Sequence, residues 1–222
     1  MTQNIRILST KKLTQPQKDH LLQANLAVVE ADFIEVKQAT LQNIDLKNSI
    51  IITSKNGVKS VIKNQLLSNI QHKKVFCVGT KTAAFLKENG IEVTHEAKSG
   101  LALANYIIAN YPNESFTYFC SNIRRHELHD LLEENNILLD EVIAYRTTVT
   151  PKKIKGNFDG ILFFSPSLVE SYTLSNTIGN AMAFCIGETT ATTALAYTKN
   201  IITANQPTIE NTIIQVIKYY KP

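Results

Sequence analysis

The second half of this chain repeats the punctuation of the first at an offset of about 110 positions, so any fold must accommodate two copies of the same strand-to-helix junctions. Ile51-Ile52-Thr53-Ser54-Lys55-Asn56-Gly57-Val58 answers to Phe163-Phe164-Ser165-Pro166-Ser167-Leu168-Val169, and Phe76-Cys77-Val78-Gly79-Thr80-Lys81-Thr82-Ala83 to Phe184-Cys185-Ile186-Gly187-Glu188-Thr189-Thr190-Ala191. In both pairs an apolar strand runs into Ser, Thr or Gly and then into a helix start. Ser9 after Ile5 to Leu8 answers in the same way to Ser121 after Phe116 to Cys120. Two units of this kind would set two groups of helix N-termini around one cleft.

Strands and helices alternate from end to end, the pattern of α/β layers with a mainly parallel sheet. Strands are expected at Ile5 to Ser9, Ala27 to Ala31, Ile50 to Thr53, Val75 to Val78, Ile91 to Thr94 and Phe116 to Cys120, then at Ile137 to Leu139, Gly160 to Phe164, Ala183 to Ile186 and Ile201 to Thr203. Between them the apolar period becomes helical. Val58, Val61, Ile62 and Leu66 share one helical face, as do Leu128, Leu131 and Leu132, and Ile209, Ile213, Val216, Ile217 and Tyr220. Pro16 and Pro166 mark helix entries, and Glu88-Asn89-Gly90 closes a helix on glycine.

Two extended stretches, 33–40 and 142–150, break the rhythm and read as connectors. Two assemblies satisfy this pattern. Either each half folds by itself, or the parts are exchanged, so that residues 1–32 join 151–222 around a separate 41–141 domain.

Composition narrows the function classes. The chain has 222 residues, 44% hydrophobic and 19% charged, with no apolar run of the roughly 18 to 20 residues that span a bilayer; Leu101 to Ala109 is short and interrupted. Met1 to Arg6 lacks a secretory signature, and a cytoplasmic location is expected. Cys77, Cys120 and Cys185 have no metal-ligand or Cys-x-x-Cys spacing and read as small core residues. A net charge of +4 suits a small anion and falls short of a nucleic-acid-binding stripe. Phosphate loops, dinucleotide fingerprints and zinc-hydrolase motifs are missing from the sequence. His126 and His129 beside Glu127 and Asp130 read as a solvated helix face, and no metal is expected.

In this order and spacing, Ile52-Thr53-Ser54-Lys55-Asn56-Gly57-Val58, Val78-Gly79-Thr80-Lys81-Thr82-Ala83, Arg124-Arg125-His126-Glu127-Leu128, Tyr145, Phe164-Ser165-Pro166-Ser167 and Ile186-Gly187-Glu188-Thr189-Thr190-Ala191 resemble the uroporphyrinogen-III synthase family over nearly the whole chain. The resemblance implies the exchanged connectivity: two flavodoxin-like α/β domains joined by a two-stranded connector, the first domain discontinuous. It also implies a cofactor-free, monomeric lyase that closes the linear tetrapyrrole hydroxymethylbilane into uroporphyrinogen III, inverting the last ring and losing water, in the inter-domain cleft. Tyr145 matches the tyrosine that assists departure of the hydroxyl, and Thr189 and Thr190 match residues that line the cleft.

The residues support such chemistry independently. A polycarboxylate is well served by helix N-termini, and the segments starting at Ser54, Thr80, Ser121, Ser165 and Thr189 each offer backbone N–H groups with a hydroxyl. Each charge-assisted bond contributes about 1.5 to 3 kcal/mol before ordering costs. Gly79 and Gly187 allow tight turns and close approach of a ligand, with Thr82 and Ser167 beside them in the two rims. Arg124 and Arg125 are expected to open a helix, Arg124 pointing at a substrate carboxylate. Lys55-Asn56 and Met182 depart from the family pattern, and Lys55 is read as a replacement charge at the cleft mouth. A ring closure is already intramolecular, so positioning supplies much of the rate. The competing reading is a non-catalytic two-domain protein that closes on a small anion, which the same fold and the same rims would serve.

Overall fold

In the computed structural model, which describes residues 5–124 and 126–221, the junctions at Ser54, Gly79, Ser165 and Gly187 are strand ends that run directly into helices, whereas the strands ending at Ser9 and Ser121 reach theirs through short loops. The elements run β1 (Arg6–Ser9), α1 (Gln15–Gln23), β2 (Ala27–Glu30), β3 (Ile34–Gln38), β4 (Ser49–Ile52), α2 (Lys55–Lys63), α3 (Leu67–Ile70), β5 (Lys74–Val78), α4 (Thr80–Glu88) and β6 (His95–Ala97). They continue with α5 (Gly100–Asn110), β7 (Phe116–Ser121), α6 (Glu127–Glu134), β8 (Leu139–Val149), β9 (Gly160–Phe163), α7 (Pro166–Thr173), β10 (Met182–Cys185), α8 (Glu188–Ala194), β11 (Ile201–Thr203) and α9 (Ile209–Tyr220).

The chain forms two compact units. One comprises the chain up to Glu35 with the chain from Thr148 onward, and the other comprises Val36–Thr147. The first unit holds a sheet in the order β11-β10-β9-β1-β2, and the second a sheet in the order β3-β8-β7-β4-β5-β6. Under the half-chain repeat β1, β2, β4, β5 and β6 correspond to β7, β8, β9, β10 and β11. Both sheets therefore have the same spatial order. Each takes its three-strand part from one repeat and its two-strand part from the other. In the first unit chain order reads 2-1-3-4-5, the flavodoxin-like order; in the second it reads 3-2-1-4-5, because the two-strand part follows instead of leading.

Helices cover both faces of each sheet, as the fully buried central strands β4, β7 and β9 require. In the second unit Val58, Val61, Ala83 and Leu86 from α2 and α4 pack on one face, and Leu103, Ile107, Leu128 and Leu132 from α5 and α6 on the other. In the first, α7 and α8 contribute Leu168, Val169, Ala191 and Ala194, opposite Leu21, Ile213 and Val216 from α1 and α9. Among the described residues no helix is long and apolar enough to cross a membrane.

Three expectations need correction. The strand expected at Ile91 to Thr94 lies at His95–Ala97: Gly90, at φ +77°, turns the chain out of α4, Ile91 N–H bonds the Leu86 carbonyl at 3.1 Å, and Ile91 plugs the core beneath the helix end. The strand expected at Ile137 to Leu139 and the connector at 142–150 are one continuous strand, β8, beside β3 at the sheet edge. Arg124 does not open a helix. α6 starts at Glu127, where Glu127 and Asp130 suit its positive end, while Arg124 precedes it and is tied to Glu141 on β8. Arg125 lies outside the described residues.

Candidate active site

The turn from β4 into α2 is built around Ser54 and Gly57. Ser54 is extended at φ −153° and its Oγ accepts the Gly57 N–H at 3.2 Å, capping the helix. A Cβ on Gly57 would meet Ile52 Cγ2 at 2.9 Å and the Phe119 carbonyl oxygen at 3.3 Å. Only glycine lets this first turn lie so close on β4 and β7, which holds the Ser54 hydroxyl at the carboxyl end of the sheet.

A bulge brings Tyr145 to the same place. Cys120 pairs with Ile143, but Ser121 pairs with Tyr145, so Ala144 is an extra residue in β8. Leu139 and Ile143 pack toward α5 and α6, whereas Val142 and Ala144 pack toward α2 and α4. By alternation Tyr145 would join the first group. The extra residue reverses it, and Tyr145 packs with the α2 and α4 face instead, its hydroxyl accepting from Ser54 Oγ at 2.9 Å. Ser121 pairs with Tyr145 across the ladder and lines the same cavity.

Around these groups lies a cavity of about 320 Å³, between the carboxyl ends of β4, β5 and β7. β4 and β7 are the neighbours at which chain order reverses, the position where open α/β sheets bind ligands. Tyr118 lines it too, buried, with its hydroxyl 3.0 Å from Thr53 Oγ1. Burial pushes the Tyr118 phenol up to about 12 and also raises Tyr145, although the two serine hydroxyls pull Tyr145 back. Both phenols are protonated at neutral pH. Ser99, which caps α5 through Ala102 N–H at 3.1 Å, and Lys98 complete the opposite wall. Arg124 lines the cavity with its charge already engaged: Nε donates to Glu141 Oε1 at 2.7 Å and Nη2 to Oε2.

Ser54, Ser121, Arg124 and Tyr145 are thus brought together. Other expected residues are not. Lys55 Nζ lies over the Phe85 ring at 5.2 Å, next to α4, and Asn56 follows it on α2 without lining the cavity. Gly79 caps α4 at φ +84°, a backbone that requires glycine, and Thr80 is exposed beside it. Thr82 and Thr190 occupy the same third helical position in α4 and α8, where the first turn faces the sheet. Both are buried, at 5% and 1% exposure. In the other unit Ser165 does not cap α7 with its side chain; its hydroxyl lies 3.0 Å from that of Ser167. Gly187 is extended at φ −177°, which any residue adopts, and Thr189 is exposed.

Thr53, Tyr118 and Glu141 were not singled out from the sequence. Tyr118 carried a signal, since a hydroxyl inside the apolar run Phe116 to Cys120 must find a partner. Lys98 and Ser99 were hidden by the strand placed too early.

The three cysteines are buried and free, and burial pushes Cys77 up to about 11 and Cys120 and Cys185 up to about 12, so they are unreactive thiols. Among the described residues no three metal-ligating side chains come together.

Residues 18–214 match the family described as HEM4, uroporphyrinogen-III synthase HemD. The chain is 28% identical over 197 residues to the porphyrin biosynthesis protein HemD of Ruminiclostridium josui, an alignment that takes in 80% of this chain and 39% of that protein. The chain thus spans well under half the length of that curated relative. Among solved structures it resembles uroporphyrinogen-III synthetase from Helicobacter pylori, with a TM-score of 0.72 at 18% identity, covering 97% of this chain and 99% of the other. A mutant uroporphyrinogen III synthase from the extremely thermophilic bacterium Thermus thermophilus gives a TM-score of 0.70 at 14% identity, covering 97% and 98%. At these identities the structural likeness is one of fold.

Proposed function

The chain belongs to the uroporphyrinogen-III synthase family, and on that premise we propose that it cyclises hydroxymethylbilane to uroporphyrinogen III, with inversion of the last pyrrole ring and loss of water. The observation that carries this reading is the phenol of Tyr145, protonated and bonded to Ser54 at 2.9 Å, at a cavity to which six residues bring hydroxyls.

The chemistry needs little more than a well-placed donor. Electrons of the first pyrrole expel the hydroxyl group as the C–O bond breaks, and the departing oxygen accepts a hydrogen from the Tyr145 phenol and leaves as water. Inversion of the last ring requires its bond to the preceding methylene bridge to break, while one α-carbon of that ring bonds to the new bridge and the other to the old one; the proton lost from the latter carbon restores the phenol. Nothing is oxidised or reduced, so the reaction asks for no electron carrier. A cavity of about 320 Å³ suits one pyrrole ring with its two acid side chains. Lys98, Arg124 and the N–H groups at the start of α5 offer partners for those acids. We assign Ser165, Ser167, Gly187 and Thr189 as contacts for the remainder of the substrate.

Incubating the purified protein with hydroxymethylbilane and separating isomer III from the spontaneously formed isomer I tests the reading. Isomer III is expected to dominate; isomer I alone would dismiss it.

A further inference from the structure

Beside Tyr145 the cavity holds a second phenol, to which the reaction as derived gives no task. Tyr118 lies on β7 and pairs with Ile51 of β4, and both belong to the apolar cluster beneath α5 and α6. Thr53 follows Ile51 by two residues, just past the end of β4, and by the alternation of an extended chain it stands on the same face. The tyrosine spans this diagonal. Its hydroxyl lies 3.0 Å from Thr53 Oγ1, at the carboxyl end of the sheet, and both residues line the cavity.

Two hydroxyls that share one hydrogen bond use one of their two hydrogens, whichever of them donates. Among the described residues neither Thr53 Oγ1 nor Tyr118 Oη has a further partner. One hydrogen of the pair is therefore left over, and the cavity that both residues line is where an acceptor for it can enter. A bound oxygen that takes this hydrogen gains a bond without breaking one inside the protein. Burial keeps the Tyr118 phenol neutral, pushed up to about 12, so the pair remains a donor wherever carboxylates are ionised.

The two phenols serve different sides of the sheet. Tyr145 packs on the α2 and α4 side beside Ser54, whereas Tyr118 packs on the α5 and α6 side, where Lys98 and the first N–H groups of α5 favour an anionic acceptor. Resting on the synthase reading, we propose that Thr53 and Tyr118 form a further substrate-binding element: the pair donates its spare hydrogen to a carboxylate of the pyrrole ring held in the cavity, while Tyr145 serves the departing hydroxyl group.

The experiment measures kcat and KM for isomer III formation in Tyr118→Phe, Thr53→Val and the double variant. Each single variant removes the mutual bond but leaves the other hydroxyl free to donate, so KM should rise no more than about threefold. The double variant removes the donor altogether, and KM should rise about tenfold or more, with a smaller change in kcat. A pair that only ties β4 to β7 predicts a different pattern, because either single variant already breaks that tie. A double variant no worse than the worse single one would overturn the inference alone, as would a loss in kcat with KM unmoved. A parent protein that forms no isomer III would remove the reading beneath it and the inference with it. Should Thr53→Val disturb the fold, Thr53→Ala takes its place in both variants and carries the same expectations.

Discussion

The hydroxyls of Ser54 and Tyr145 lie 2.9 Å apart although the residues are 91 positions apart in sequence. Two local departures from regular structure produce this contact: the glycine-permitted approach of α2 to the sheet, and the bulge that turns Tyr145 to the other face of β8.

Tyr145→Phe removes the hydroxyl and little else, because the ring keeps its packing against the α2 and α4 face. Formation of isomer III is expected to fall about 100-fold, with circular dichroism and melting unchanged. Unchanged turnover in the folded variant would show that the phenol takes no part.

Arg124 and Glu141 form a mostly buried pair, with 19% and 18% of their side chains exposed. Arg124→Ala uncovers a carboxylate next to the cavity, and KM for the polycarboxylate substrate should rise about fivefold. Glu141→Gln releases the guanidinium, and KM should fall by a few-fold. A rise in KM with both variants would mean that the pair acts only as a scaffold.

Gly57→Ala places a methyl group 2.9 Å from Ile52 Cγ2 and 3.3 Å from the Phe119 carbonyl oxygen. Either α2 lifts or β4 shifts, and unfolding in denaturant should show a loss of about 2 kcal/mol. Activity should fall further than stability, since Ser54 moves with the helix. An unperturbed denaturation midpoint would refute the close approach.

Alkaline stability follows from the buried phenols and thiols. Burial raises Tyr118 and Tyr220 to about 12, above the value of about 10 for an exposed tyrosine, and Cys120 and Cys185 to about 12. At pH 9 to 12 the folded chain binds more protons than the unfolded chain, so the stability these groups contribute is full below their unfolded values and is lost as pH rises toward 12. Melting temperature should be level to about pH 8.5 and then fall steeply. Tyrosine absorbance in the folded protein should ionise later than in denaturant; coincident titrations would contradict the burial.

Much of this architecture was legible in the residues. The fully apolar runs Ile50 to Ile52 and Phe116 to Cys120 announced central strands, and the helical stripe ending in Val216 and Tyr220 announced α9. The misplaced strand at Ile91 came from reading an apolar plug under a helix end as the start of a ladder, since periodicity does not distinguish the two. Arg124 was read as a free cation because its partner is 17 positions away on another strand.

The repeat itself, with its Ser, Thr and Gly after each strand, determined that two similar α/β layers would form and where their helices would begin. Hydrophobic period and capping are local, and local chemistry is written residue by residue. Which strands share a sheet was decided by tertiary pairing: β7 docks on β4 and β1 on β9, across the repeats, and only then do Ser54, Ser121 and Tyr145 meet at one cavity. A contact between distant residues depends on register and on one extra residue in β8, and a single step in register moves a side chain to the opposite face.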